Sequence, residues 1–137
     1  MIDLWIQGTP VAQPRPQVFS RGGVKSDHDR SAAWKRAVAM QARHAKPSEP
    51  ISEPIAMDLE FHFPRPQSLM RKIDPDGRIP HGKRPDSDNL AKAVLDALGD
   101  NGWWTDDSLV ARLTTSKFYT SRHGEPGLHL RLSTIDS

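Results

Sequence analysis

The sequence has no cysteine, which excludes disulfide bridges and thiolate zinc sites. A reducing compartment is compatible with that absence. No apolar run approaches the ~18 residues that mark a bilayer-spanning helix. The opening Met1-Ile2-Asp3-Leu4 lacks the charged and apolar segments of a secretory signal. Internal repeats and low-complexity tracts are missing as well. The expectation is a soluble, cytoplasmic protein with no membrane partner.

What is present bounds the protein further. Its 137 residues suit a single domain spanning 1–137, large enough to bury a core. Hydrophobic residues make up 36% and charged residues 26%, polar but not disordered in composition. The net charge is only +2, yet it is unevenly placed. The stretches Arg15 to Lys46 and Arg65 to Arg84 are mostly basic, whereas RPDSDNLAKAVLDALGDNGWWTDD, residues 84–107, carries six aspartates. A basic surface beside a small acidic centre suits a polyanion whose phosphate must meet a metal. A solvated surface with chance clustering accounts for the charge pattern equally well.

Hydrophobic spacing predicts the elements. Ile2, Leu4 and Ile6 alternate with polar neighbours and open the chain as a strand. AQPRPQVFSRGG follows as a loop carrying Arg15 and Arg21. From about Asp29 to Ala45 the spacing is helical, with Ala33, Trp34, Ala37, Val38 and Gln41 or Ala45 on one stripe and Asp29 or Ser31 as the cap. IAMDLEFHF, residues 55–63, is a strand with Ile55, Met57, Leu59, Phe61 and Phe63 on one face. His62 shares the other face with Asp58 and Glu60, and a solvated histidine fits there better than a metal ligand. A long basic loop, about 64–85, comes next and is expected to become ordered only when it grips something. A second helix runs from about Ser87 to Leu98 on a Leu90, Val94, Ala97, Leu98 stripe, with Gly99 or Gly102 as its left-handed exit. Strands follow from about Leu109 to Tyr119 and through Leu128, Leu130 and Leu132. The order β-α-β-α-β-β makes an α+β fold, a small mixed sheet packed with two main helices.

Each aspartate alone has an ordinary explanation. Asp86 and Asp88 stand where a helix favours negative charge, Asp88 and Lys92 form an i, i+4 pair, and Asp106-Asp107 suits a turn. Together they suggest more. If the Asp100-Asn101-Gly102 turn sends Trp103-Trp104 back alongside the helix, Asp107 arrives beside Asp86 and Asp88. Three close carboxylates repel, and a hard cation such as Mg²⁺ relieves the repulsion. Carboxylate-held Mg²⁺ beside a basic surface suits phosphodiester hydrolysis, with Lys92 stabilising charge at the phosphate. On the residues alone, a metal-dependent nuclease and other phosphate chemistry both remain open.

The pattern Arg84-Pro85-Asp86-Ser87-Asp88-Asn89-Leu90-Ala91-Lys92, then Asp96-Ala97-Leu98, then Gly102-Trp103-Trp104-Thr105-Asp106-Asp107 resembles the RusA family of Holliday-junction resolvases. The Gly8 to Pro16 start fits the family layout; Ser87 departs from it, where leucine is common. The resemblance implies a homodimeric, Mg²⁺-dependent endonuclease that nicks two opposed strands of four-way junction DNA in recombination and repair. It implies metal ligation by Asp86, Asp88 and Asp107 and a catalytic role for Lys92. Asp106 and Asn89 are implied as supporting groups or further ligands. Such proteins are bacterial or phage-encoded, often in prophages, and need no small-molecule cofactor.

DNA contacts are expected from Arg15, Arg21, Lys83, Arg84 and Lys117. Lys25, Arg65, Arg71, Lys72 and Arg78 are further candidates, and each also fits a solvated surface. Phe19 is read as a core residue, with insertion at the junction centre as the alternative. Two other functions fit the same residues: a nuclease acting on other branched DNA or RNA, and a junction-binding protein without hydrolysis.

Overall fold

Five strands and two helices build a mixed sheet with an apolar face covered by helix, as a computed structural model shows. It describes residues 1–14 and 24–135, with side chains for 1–14 and 28–135. In chain order the elements are β1 (Ile2–Gln7), α1 (Val24–Ala42), β2 (Ile55–Phe63), β3 (Ile79–Pro80), α2 (Ser87–Gly99), β4 (Val110–Tyr119) and β5 (Gly127–Thr134). The sheet order is β1-β5-β2-β4-β3. β5 runs antiparallel to both β1 and β2, and β2 runs parallel to β4 from Ile55↔Val110 to Phe63↔Tyr119. The α+β expectation holds, and the two-residue β3 is an addition that is too short to leave a periodic signal.

Strict alternation makes β2 the spine of the core. Ile55, Met57, Leu59, Phe61 and Phe63 are all buried, together with Leu4, Ile6, Leu128, Leu130 and Leu132 from the flanking strands. The stripe on α2 is buried as its spacing predicts, through Leu90, Val94, Ala97 and Leu98, and Ala91 and Ala93 broaden it. Trp34, Val38 and Ala42 anchor α1. α1 packs over β1 and against α2, which lies over β4.

α1 begins at Val24, ahead of the expected Asp29, so neither Asp29 nor Ser31 caps it. Ala33 is exposed, off the buried stripe. The early turn VKSDHD offers no apolar periodicity to read. A 3₁₀ turn at Arg43–Ala45 ends the helix.

The segment between β2 and α2 is organised by two arginines, which corrects the expectation that it orders only on gripping a partner. Arg65 donates to the carbonyls of Thr120, Leu69, Pro75 and Gly77 at 2.7–3.2 Å. Arg122, entering from the β4–β5 turn, donates to Asp76 and to the carbonyls of Met70, Arg71 and Asp74. Backbone carbonyls that water would otherwise satisfy are gathered on two planar donor groups, a use to which guanidinium geometry is suited. Among the described residues, no helix is long and apolar enough to cross a membrane.

Candidate active site at the head of α2

The chain enters α2 through a cis Arg84–Pro85 peptide bond. Asp86 takes the N-cap position in an extended conformation (φ −71°, ψ 141°) without a side-chain capping bond, and Asp88 lies in the first turn. Both are exposed. Two neighbours hold this turn in place. The Lys117 amine, reaching across from β4, donates to the carbonyls of Lys83 at 2.6 Å and Pro85 at 2.8 Å. From the loop after β1, the Gln13 amide donates to the Asn89 carbonyl at 3.0 Å. Ala12, Arg84, Pro85, Asp86 and Asn89 line a hollow of about 400 Å³ there.

Lys92 stands one turn beyond Asp88, exposed on the same stripe of α2. No ion pair joins the two; Asp88 Oδ1 instead accepts from the Asn89 amide at 2.9 Å. The ordinary reading of Asp88 and Lys92 as a helix-surface pair is therefore not realised in this conformation.

Asp107 is elsewhere. Its Oδ1 accepts from the Trp104 indole N–H at 2.7 Å, and a methyl group placed on Gly99 would meet that same oxygen at 2.7 Å. Gly99 ends α2, eleven residues beyond Asp88, which is about 16 Å along the axis. The expected return of the chain along the helix does not occur. The turn forms as foreseen, with Gly102 rather than Gly99 in the left-handed region at φ +79°. Trp103–Thr105 then binds Ile51, just ahead of β2: Ile51 N donates to Trp103 O and Thr105 N to Ile51 O, at 2.9 and 3.0 Å. Burial of both tryptophans draws that segment sideways into the core. Among the described residues, no three Asp, Glu or His side chains come together as a metal-holding group.

Asp106 serves its own turn. Its carboxylate accepts from the Ser108 amide at 2.8 Å, capping a 3₁₀ turn at Asp107–Leu109, and that backbone bond holds its pKa below the usual carboxylate range. Two exposed carboxylates at Asp86 and Asp88 are a hard oxygen donor set. They fit Mg²⁺, which is commonly held by one or two carboxylates together with substrate phosphate and water.

The expected DNA contacts divide. Lys83 and Arg84 are exposed beside Asp86, and Lys72 is exposed within the preceding loop. Arg65 is consumed by four carbonyls, as above. Arg71 pairs with Asp74 at 3.3 Å, and Arg78 pairs with Glu60 at 2.9 Å while stacking over Phe118. Arg15, Phe19 and Arg21, and the side chain of Lys25, lie outside the described residues. His62 is half-buried between Trp5 and Phe118, a packing role rather than the solvated one expected.

Sequence reasoning missed Trp104 as the hydrogen-bond partner that fixes Asp107, and Gly99 as the gap that admits it. The Asp-x₁₀-Gly-x₇-Asp spacing from Asp88 through Gly99 to Asp107 carries no signal of either. It also missed a groove of about 540 Å³ at the far end of α2, lined by Lys35, Arg36, Arg43, Lys46, Met40 and Trp103 among others.

Comparison with known proteins places these features in context. The family model described as endodeoxyribonuclease RusA matches residues 7–132. The chain is also 32% identical over 143 residues, covering 99% of its length and 98% of the relative, to a Bacillus subtilis (strain 168) protein called uncharacterized protein YqaN.

Proposed function

This chain belongs to the RusA endodeoxyribonuclease family, and on that premise we propose that it is a Mg²⁺-dependent homodimeric nuclease that resolves four-way DNA junctions by nicking two opposed strands. The observation that carries the reading is the head of α2. There Asp86 and Asp88 are exposed together, rimmed by Lys83 and Arg84 and followed one turn later by Lys92. Bound between Asp86 and Asp88, a divalent cation would supply charge neutralisation and Lewis-acid polarisation of the scissile phosphate.

The remaining work falls to the chain's own groups. Lys83 and Arg84 attract and position the phosphodiester backbone. Lys92 faces charge that develops on the phosphate, a role in which a preorganised cation outperforms water. Lys117 holds the turn that aims Asp86, through its two carbonyl contacts.

Asp107 enters from a second copy. About 16 Å of helix separates it from Asp88 within one chain, whereas carboxylate oxygens bind Mg²⁺ at roughly 2.0–2.1 Å. Two copies related by a two-fold axis across α2 would each lend Asp107 to the other's Asp86 and Asp88. Two equivalent centres then face the two symmetry-related strands of a junction. Cytoplasmic action on DNA follows from the same reading.

Labelled four-way, flap and linear DNA and an RNA duplex, incubated with the protein in Mg²⁺ or EDTA, test the proposal. Paired symmetric nicks on the four-way substrate alone, abolished by EDTA and by Asp88→Asn, are expected. Cleavage of flaps or RNA instead points to a nuclease of other specificity. Junction binding without cleavage in any divalent metal overturns the enzymatic reading.

A further inference from the structure

A buried imidazole touches the turn that presents Asp86 and Asp88, and the chemistry proposed above makes no use of it. His81 is 7% exposed and stands two residues ahead of Lys83. Its ring stacks on Tyr119, with 4.2 Å between centroids and 13° between planes, and meets Phe63 edge-on at 4.9 Å. The His81 amide donates to the Lys117 carbonyl at 3.0 Å, which ties its backbone to β4. Ring and backbone are both anchored, so Nδ1 is aimed at one group. It accepts from the Lys83 amide at 3.1 Å.

That bond completes a clamp. The Lys117 amine takes the other side of the same residue, donating to the Lys83 carbonyl at 2.6 Å, and continues to the Pro85 carbonyl at 2.8 Å. Three hydrogen bonds therefore fix Lys83 to Pro85, and Asp86 is the next residue. Resting on the nuclease reading above, we propose that His81 is a positioning residue for the head of α2. Neutral, it accepts from Lys83 and holds the turn in the course that aims Asp86 and Asp88. Protonated, it lets the turn go.

The chemistry of the ring makes the two states distinct. An imidazolium carries a hydrogen on both nitrogens and only donates, so a protonated Nδ1 would face the Lys83 N–H donor to donor. The surroundings keep the ring neutral near pH 7. Burial contributes most, and the cations of Lys117 on β4 and Lys83 on the adjoining segment add to it, placing the pKa below the ordinary 6.5. No carboxylate opposes them, and Phe63 and Tyr119, which sandwich the ring, bring no charge. The turn is accordingly held at neutral pH and released as pH falls through that lowered value. His62, the other half-buried imidazole, lies on the opposite face of the sheet, because it pairs with Phe118 whereas Phe63 pairs with Tyr119.

Two substitutions take the ring's two tasks apart. His81→Phe keeps the stack on Tyr119 and loses the acceptor; His81→Asn loses the stack and keeps an oxygen near Nδ1 that accepts at any pH. A residue that served packing alone would leave His81→Phe active and impair His81→Asn. The clamp predicts the reverse. His81→Phe should keep its melting temperature and its junction binding but lose kcat on four-way DNA about tenfold or more, since a displacement of about 1 Å can cost about 100-fold. His81→Asn should melt lower, nick at neutral pH, and lack the decline in rate that wild type shows as pH drops below 6.5. His62→Phe should keep that decline. The Lys83 amide reads the clamp without any cleavage: its ¹⁵N–¹H resonance should titrate with the His81 ring in wild type, and its hydrogen exchange should quicken in His81→Phe. Full kcat in His81→Phe, or a Lys83 amide indifferent to the His81 titration, would overturn the inference while nicking by wild type left the nuclease reading intact. An amide that follows His81 in a protein inert on every junction would instead sink the function on which the inference rests.

Discussion

Two inactive variants should restore one another. Asp88→Asn removes a carboxylate at the head of α2, and Asp107→Asn removes the one held at its end by Trp104. In a dimer whose centres each draw Asp86 and Asp88 from one copy and Asp107 from the other, a heterodimer of the two variants gathers both lesions into one centre and leaves the other complete. Random exchange between equal amounts gives about half heterodimers, each with one of two centres intact, so about a quarter of the wild-type centres return. The helix sets the contrast. With roughly 16 Å between the two positions along α2, a single chain bearing either lesion gains nothing from its own remaining carboxylates. Supercoiled plasmid carrying an extruded cruciform makes the assay, since one active centre yields nicked circles and two yield linear DNA. After co-refolding or co-expression, nicked circles should appear at about a quarter of the wild-type centre concentration, with almost no linear product. If differently tagged heterodimers are shown to form and the mixture stays inert, Asp88 and Asp107 act within one chain and the shared centre is wrong.

Gly99→Ala should separate stability from activity. Alanine gains up to about 1 kcal/mol of helix propensity over glycine, but its methyl group meets Asp107 Oδ1 at 2.7 Å and Trp104 Nε1 at 3.1 Å. Thermal unfolding should move little while nicking falls severely; full activity would show that the position of Asp107 is immaterial. Acid should destabilise the fold through His62 and His81, because burial pushes both below the ordinary imidazole value of 6.5. The unfolded chain then takes up protons first as pH drops, so stability is full above 6.5 and declines below it. Melting temperatures from about pH 7.5 to about 5.5 should fall more steeply for wild type than for His62→Phe/His81→Gln, and equal slopes would refute the assignment. Finally, Lys83→Ala and Arg84→Ala should each lessen the salt dependence of junction binding by about one phosphate contact. An unchanged slope in a binding titration against salt would remove that residue from the DNA surface.

Periodicity carried most of the fold. Strict alternation in β2 and the Leu90-Val94-Ala97-Leu98 stripe left little freedom about which faces were inward, and both are buried as expected. The start of α1 was invisible because its first turns are polar and supply no apolar repeat. At the site, the local part was legible: Asp86, Asp88 and Lys92 lie within two turns of one helix, where spacing alone fixes relative position. Asp107 was not, because its place depends on where two buried tryptophans go. Trp103 and Trp104 follow the pull of the core toward Ile51, and a turn sequence specifies a reversal without specifying the course of the chain after it.

The two arginines that tie down the loop ahead of α2 bear on any attempt to map DNA contacts by mutation. Arg65 and Arg122 look like phosphate ligands in a charge count, and replacing either with alanine would be expected to weaken junction binding. Each, however, holds several carbonyls of the segment leading to Lys83, Arg84 and Asp86. Loss of binding in such a variant would report a collapsed scaffold, not a missing contact. The salt slope tells the cases apart, because a scaffold residue releases no counterion of its own. A scan that scored affinity alone would draw the DNA path across the wrong side of the loop.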